Sequence, residues 1–296
     1  MKRVCGLDWK SKRSLKCAVL ISDKMKKIAS HDDIHIFAPD NSRFSFLKSP
    51  YAAHKTFSAV DIYYGIFGGD AYSPVDGEVI DIRSYETPTP YKGRNSTEYL
   101  LAIRQGKYVI KIIHIKPDVP KGKTVSKGDR IGTFIRNGYF TFWNDPVMHV
   151  EVRKPGDYLR ASNNLRLEPC IKWSGLSSSR SLELECRVEE INNSYSLLSS
   201  NCDICGDVRG FSLDSGFLDG YVAPVVGEGF FGIIRPQGFF RPEISKLDVI
   251  AGDRNIDCGG VAFSLHFNEP RIKLIPRKYG IKQFSEGEEV LIRLEI

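Results

Sequence analysis

The sequence predicts an all-β chain built as two successive β domains. Helix-period apolar patterns are scarce, short runs rich in β-branched and aromatic residues recur between Gly, Pro, Asp and Asn, and a Ser-rich stretch divides those runs into two series. The first series takes residues 77–82, 99–103, 108–113, 130–135 and 148–152 as strands, stopped by turn-forming residues. The second takes residues 182–188, 220–226, 232–234, 260–267, 271–275 and 290–296. Between them residues 173–181, Trp-Ser-Gly-Leu-Ser-Ser-Ser-Arg-Ser, have linker composition. The boundary is therefore expected near residue 170, with one domain over 1–168 and a second β-rich domain over 169–296.

Composition excludes several classes. With 42% hydrophobic and 26% charged residues the chain is neither disordered nor fibrous. Its 296 residues fit two domains and can bury about three quarters of the unfolded surface, so no disulfide or metal is needed merely to hold it together. No stretch approaches the roughly 18 apolar residues that cross a bilayer, and the early run 17–21 lies between Lys16 and the lysines of 24–27. Neither a membrane span nor a signal peptide is expected. Seven cysteines at irregular spacings argue against a disulfide framework and for a reducing, cytoplasmic location. The net charge of +6 is modest and concentrated in residues 1–28, where only Asp8 and Asp23 oppose it. A solvated face accounts for that run more simply than a docking surface for an acidic partner.

Three segments of the first half can carry chemistry. The first is His54-Lys-Thr-Phe57-Ser-Ala-Val-Asp61, followed by Ala71-Tyr-Ser-Pro74-Val75-Asp-Gly77-Glu-Val79. The second is Tyr108-Val-Ile-Lys-Ile-Ile-His114-Ile, running into Val125-Ser-Lys-Gly128-Asp129-Arg-Ile131-Gly132. The third is Pro146-Val147-Met148-His149-Val150-Glu151. Residues two or four apart project from the same face of a strand and can converge on one ion. A lone histidine in an apolar run is ordinarily a satisfied core residue, which is the plain alternative for His114 and His149.

In order and spacing these segments resemble the lysostaphin-type zinc endopeptidases, whose domain is a β fold of the duplicated hybrid motif class. The resemblance covers residues 54–153, and its turns specify fold more than activity. It implies zinc held by His54, Asp61 and His149, with His114 as the unligated catalytic histidine beside the open coordination position. It also implies metal-assisted amide hydrolysis, with a peptide or peptidoglycan-like substrate. Two departures accompany the matches. Phe57 stands four before Asp61, where the family has a zinc histidine, and Val147 stands at the first histidine of the His-x-His pair. The nearest substitute, His54, lies seven residues before Asp61, an odd separation that on a continuous strand points the two side chains to opposite faces, so His54 ligates only if a bulge or turn intervenes.

In the second half Cys202-Asp-Ile-Cys205-Gly206 has the form of half a zinc knuckle that Cys258 with Cys186 or His266 would have to complete; buried free thiols are the simpler reading. The leading expectation is a zinc-binding metallopeptidase homologue. The alternatives are an inactive hybrid-motif binding or scaffold module, which suits Phe57 and Val147, and a nucleic-acid-associated β protein, for which only the basic N-terminal run speaks.

Overall fold

The structure, a computed structural model, describes residues 24–88, 96–162, 164–225 and 228–296. The basic run 1–23 and the end of the expected strand 220–226 lie outside them. The chain is all-β: apart from the four-residue helix Ala52–Lys55, the regular elements among the described residues are strands, and every pairing between them is antiparallel.

The sheet that positions the site has ten strands. Their order is Thr124–Val125, Gly77–Glu86, Thr97–Gln105, Tyr108–Ile113, Met148–Arg153, Ala59–Tyr63, Arg43–Ser45, Leu265–His266, Val208–Gly210 and Asp203–Cys205. The two central strands alternate with period two, but both faces are buried. Val60, Ile62, Met148, Val150 and Val152 enter the main apolar core, whereas Asp61, Tyr63, His149, Glu151 and Arg153 line the opposite face. That second face is where a buried polar arrangement can be built.

The hairpin of Met25–His31 with Ile34–Pro39, and the strand Arg43–Ser45, lie outside the expected runs. The charged start Lys26-Lys27 masks the alternation that Ile28, Ala29, Ile34, Ile36 and Ala38 complete inside the core. The Ser-rich segment is largely exposed but tied down: Ser177 and Ser179 accept, through their backbone oxygens, the N–H groups of Ser215 and Asp214 at 2.7 Å.

The second half has its own sheet and its own apolar cluster, running from Leu184 to Leu294. It also completes the first. Leu265–His266 pairs with Arg43–Ser45 and extends the site-bearing sheet, and Cys205, Val208, Phe217, Ile234 and Phe267 belong to the first core. We propose that the division at residues 168 and 169 separates two chain segments that share one sheet. Asp219 is one clamp between them, accepting the Phe46 and Leu47 backbone N–H groups at 2.7 and 3.0 Å. No helix among the described residues is long and apolar enough to cross a membrane.

Asp219 sets a measurable pH dependence. Burial raises its carboxyl to about 6, only partly offset by hydrogen bonds from Ser45, Phe46 and Leu47, and its Oδ1 has no partner. A folded-state pKa above the unfolded value of 3.8 means stability that is complete below about pH 4 and lost as pH rises through about 6. The loss is on the order of 3 kcal/mol at one pKa unit per 1.4 kcal/mol. Asp219→Asn keeps a carbonyl acceptor for the clamped amides and cannot ionise. Urea unfolding at pH 4 and pH 7 should show a smaller decline in the variant than in the wild type. Equal declines in both would assign the pH dependence to other groups.

Candidate metal centre

His54 reaches the site from outside the strand that carries Asp61. It lies in the short helix Ala52–Lys55, after which Phe57 adopts φ +58 and turns the chain into Ala59–Tyr63. With a helical turn between them, the seven-residue separation carries no strand parity. Phe57 itself is in the core, stacked between Phe46 and Phe239 with ring centroids 4.9 and 4.7 Å away. The position four before Asp61 is thus a packing position here, and the imidazole is supplied three residues earlier.

Asp61 and His149 face each other by register, directly opposite in the antiparallel pair of Ala59–Tyr63 with Met148–Arg153. His149 Nδ1 lies 2.8 Å from Asp61 Oδ1, His54 Nε2 lies 3.2 Å from the same oxygen, and the two ring nitrogens are 3.1 Å apart. All three residues are buried. Among the described residues this is the one group of three His, Cys, Asp or Glu whose ligand atoms converge.

The outer hydrogen bonds fix which atoms point inward. His54 Nδ1–H donates to the Phe46 carbonyl at 2.7 Å, which leaves a lone pair on Nε2. His149 Nε2–H donates to Glu151 Oε1 at 3.0 Å, which leaves a lone pair on Nδ1. Tyr63 Oη–H donates to Asp61 Oδ2 at 3.2 Å, so Oδ1 faces the cluster. Glu151 is itself anchored by Lys111 Nζ at 3.2 Å and by the fully buried Arg153 at 2.9 Å.

Three electron-pair donors therefore face one point, each oriented from behind, which is how metal-ligating imidazoles are held. Zinc bonds of about 2.0–2.1 Å in tetrahedral geometry separate ligand atoms by about 3.3 Å, close to the separations found. Two imidazoles and a carboxylate suit zinc. The electrostatics place positive charge at that point, a proton on His149 where no metal binds. Burial pushes the Asp61 carboxyl up, but His54 and His149 outweigh it and hold the group well below the usual carboxylate range. Burial pushes His149 down, but the Asp61 and Glu151 carboxylates bring it up to about 9.

His114 is placed beside the triad. It sits where the chain leaves the ten-stranded sheet after Tyr108–Ile113 and enters another at Ile115–Pro117, with φ +72. Glu98 holds this strained residue with both oxygens. Its Oε1 accepts the His114 backbone N–H at 2.9 Å, and its Oε2 accepts Nδ1–H at 2.5 Å. Asn137 Nδ2 donates to the same Oε2 at 2.9 Å. The His114 ring lies 6.2 Å from that of His149, and both border a cavity of about 180 Å³ with Asp61, Tyr51, Tyr139 and Val147. Val147 packs with Tyr63 and Phe140 at the edge of this cavity.

Glu98 escaped the sequence reading, since a single glutamate in an apolar run signals nothing until its strand neighbours are known. Glu151 was visible as the last member of the third segment, though not as the group that orients His149. Among the described residues Cys202 and Cys205 assemble no ligand set: Cys205 Sγ contacts the Ser174 carbonyl at 3.6 Å, and Cys186 and Cys258 belong to the second core.

Residues 35–169, which contain His54, Asp61, His114 and His149, match the family described as "Domain of unknown function (DUF8155) N-terminal domain". No curated protein matches the chain. Among solved structures the chain is similar to the antimicrobial peptidase lysostaphin from Staphylococcus simulans, at 13% identity over 85% of this chain and 95% of that one, with a TM-score of 0.26. A solution structure of lysostaphin matches at 13% identity over 78% of this chain and 86% of that one, with a TM-score of 0.24.

The outer hydrogen bonds make Glu151 a test of the arrangement. Glu151→Leu leaves the Lys111 and Arg153 charges without their buried carboxylate and should destabilise the fold by about 3 kcal/mol. It should also weaken zinc binding about 10- to 100-fold by releasing the His149 ring. Chemical denaturation and competition with a chromogenic chelator read the two effects. Unchanged zinc affinity would mean that Glu151 does not orient the imidazole.

Proposed function

We propose that the chain is a zinc-binding metallopeptidase homologue in which His54, Asp61 and His149 hold the metal and His114 stands beside the substrate. The observation that carries the proposal is the inward convergence of three lone pairs whose partner protons are all turned outward. A zinc ion bound there supplies a Lewis acid that lowers the pKa of a water toward about 7 and polarises a carbonyl.

The chain's own residues supply the rest. Glu98 accepts the hydrogen bond of the His114 Nδ1–H, so Nε2 is an acceptor for a proton at the cavity wall. After accepting it, His114 is stabilised as an imidazolium by the adjacent carboxylate and can return the proton to a leaving amine. Tyr51 and Tyr139 border the same cavity. Burial pushes the Tyr51 hydroxyl above its ordinary pKa, with Tyr139 and Glu98 adding to the shift, so it remains a hydrogen-bond donor. The substrate class is a peptide or peptidoglycan-like amide.

One observation favours a second reading, a binding or scaffold module that keeps the metal with little turnover. Val147 presents methyl groups at the cavity wall and neither donates nor accepts a proton. His114 is then the one histidine left for proton transfer.

Two measurements test this reading. Zinc analysis of the purified chain should give one ion per chain, and His149→Ala and Asp61→Asn should each abolish retention through dialysis; a wild type that retains none refutes the metal assignment. On zinc-loaded protein, glycyl-peptide cleavage should be slow and fall about 100-fold or more in His114→Ala. Val147→His should raise it. Fast wild-type cleavage that disappears in His114→Ala would show that one histidine suffices and remove the scaffold reading.

A further inference from the structure

On the far side of Tyr63 from the triad lies a larger cleft of about 660 Å³, walled by both halves of the chain. Lys48, Tyr63 and Asn144 line both this cleft and the cavity over the triad. Five cationic side chains border it, Arg43, Lys48, Arg136, Arg271 and Lys273, and Asp145 is the one acid.

Asp145 is already fully engaged. Its Oδ2 pairs with Arg43 and Lys273, and its Oδ1 accepts the Tyr195 hydroxyl at 2.8 Å. Lys48 is only 8% exposed, yet its ammonium has no hydrogen bond or ion pair with a described residue and lies 5.1 Å over the Tyr63 ring. Arg271 likewise has no ion pair among the described residues, and the buried His266 Nε2 has no hydrogen-bond partner. A buried ammonium without a partner gives up its proton rather than stay charged, so a fold that gathers these donors around one saturated carboxylate offers them to a second anion. Burial drives the Lys48 ammonium well below its ordinary pKa, and Arg43 and Lys273 push in the same direction.

We propose that this cleft is an anion-binding subsite that takes a carboxylate of the substrate whose amide faces the triad. The cleft is already laid out for that group: Asp145 shows a planar carboxylate accepted by a guanidinium, an ammonium and a phenol in the same wall. Lys48, Arg271 and His266 are the donors left for a second one. The shared wall of Lys48, Tyr63 and Asn144 sets the cleft next to the triad cavity. Amide substrates carry such a group, as a chain-terminal carboxylate or an acidic side chain. The adjacency to a reacting amide rests on the metallopeptidase reading; the anion site itself rests on the cleft.

The test is calorimetric titration of the full chain, zinc-free, with acetyl-alanyl-alanine and with its C-terminal amide. The acid should bind about ten-fold or more tightly than the amide, the effect of one or two charge-assisted hydrogen bonds. Lys48→Met and Arg271→Gln should each erase most of that preference, with thermal unfolding confirming that the variant folds; Arg271 is only partly buried and serves if Lys48→Met does not. Equal binding of acid and amide overturns the proposal, as does a preference unchanged in the variants. Inorganic phosphate binding more tightly than the acid, and competing with it, would assign the cleft to phosphate and overturn the carboxylate. Zinc retention is read separately. A chain that retains no zinc but prefers the acid refutes the metal reading alone, and one that retains zinc without that preference refutes the subsite alone.

Discussion

Everything at the site depends on the register between Ala59–Tyr63 and Met148–Arg153, which sets Asp61 directly opposite His149. The side-chain period of a strand is two, so a slip of one residue would send Asp61 and His149 into the apolar core and bring Val60 and Val150 out of it. That penalty is what pins the register. Neighbouring strands extend the same rows: Ile113 and Ser45 flank the His149–Asp61 pair, and Lys111 stands opposite Glu151. Arg43 lies opposite Tyr63 on one side and His266 on the other. One sheet face thus runs from Lys111 through the triad to the cationic cleft, with ladder geometry fixing the spacing at every step.

The second half of the chain reaches the triad through the backbone. Asp219 holds the Phe46 and Leu47 amides, and the Phe46 carbonyl fixes the tautomer of His54. Arg241 donates to the His54 carbonyl at 3.3 Å, and Phe239 stacks on Phe57, whose left-handed backbone ends the turn carrying His54. The histidine that departs most from the family spacing is therefore the one most dependent on residues after 169. A side chain on a one-turn helix needs its own scaffold, and here distant strands provide it.

The β character and most strands were legible because alternation is a local signal, and Asp61 and His149 were legible because their order along the chain is. What failed was anything set by a long-range neighbour. The helix Ala52–Lys55 is one turn long and has no helical period to read, so parity alone spoke against His54. Phe57 gave no sign of its two stacked partners, since Phe46 precedes it by eleven residues and Phe239 follows by far more. Glu98 and Asp219 each look like an isolated acid in an apolar run. The strands Asp203–Cys205, Val208–Gly210 and Leu265–His266 carry no mark saying which sheet they join.

A buried polar face is expensive unless every member is satisfied, and the pattern of satisfaction differs along this one. Around His149 the outer hydrogen bonds are made: Glu151 is met by His149, Lys111 and Arg153, and Asp61 Oδ2 by the Tyr63 hydroxyl. What remains there is a site for one cation, because two inward lone pairs and a carboxylate oxygen repel one another without a proton or a metal between them. Around Asp145 the imbalance has the opposite sign, with Lys48 and Arg271 left over. Tyr63 stands between, its hydroxyl on Asp61 and its ring under the Arg43 guanidinium at 4.1 Å. An electron-rich triad and a cation-rich cleft thus stand on one sheet, divided by a single aromatic side chain, and on the readings proposed above one partner would bring a carbonyl to the first and an anion to the second.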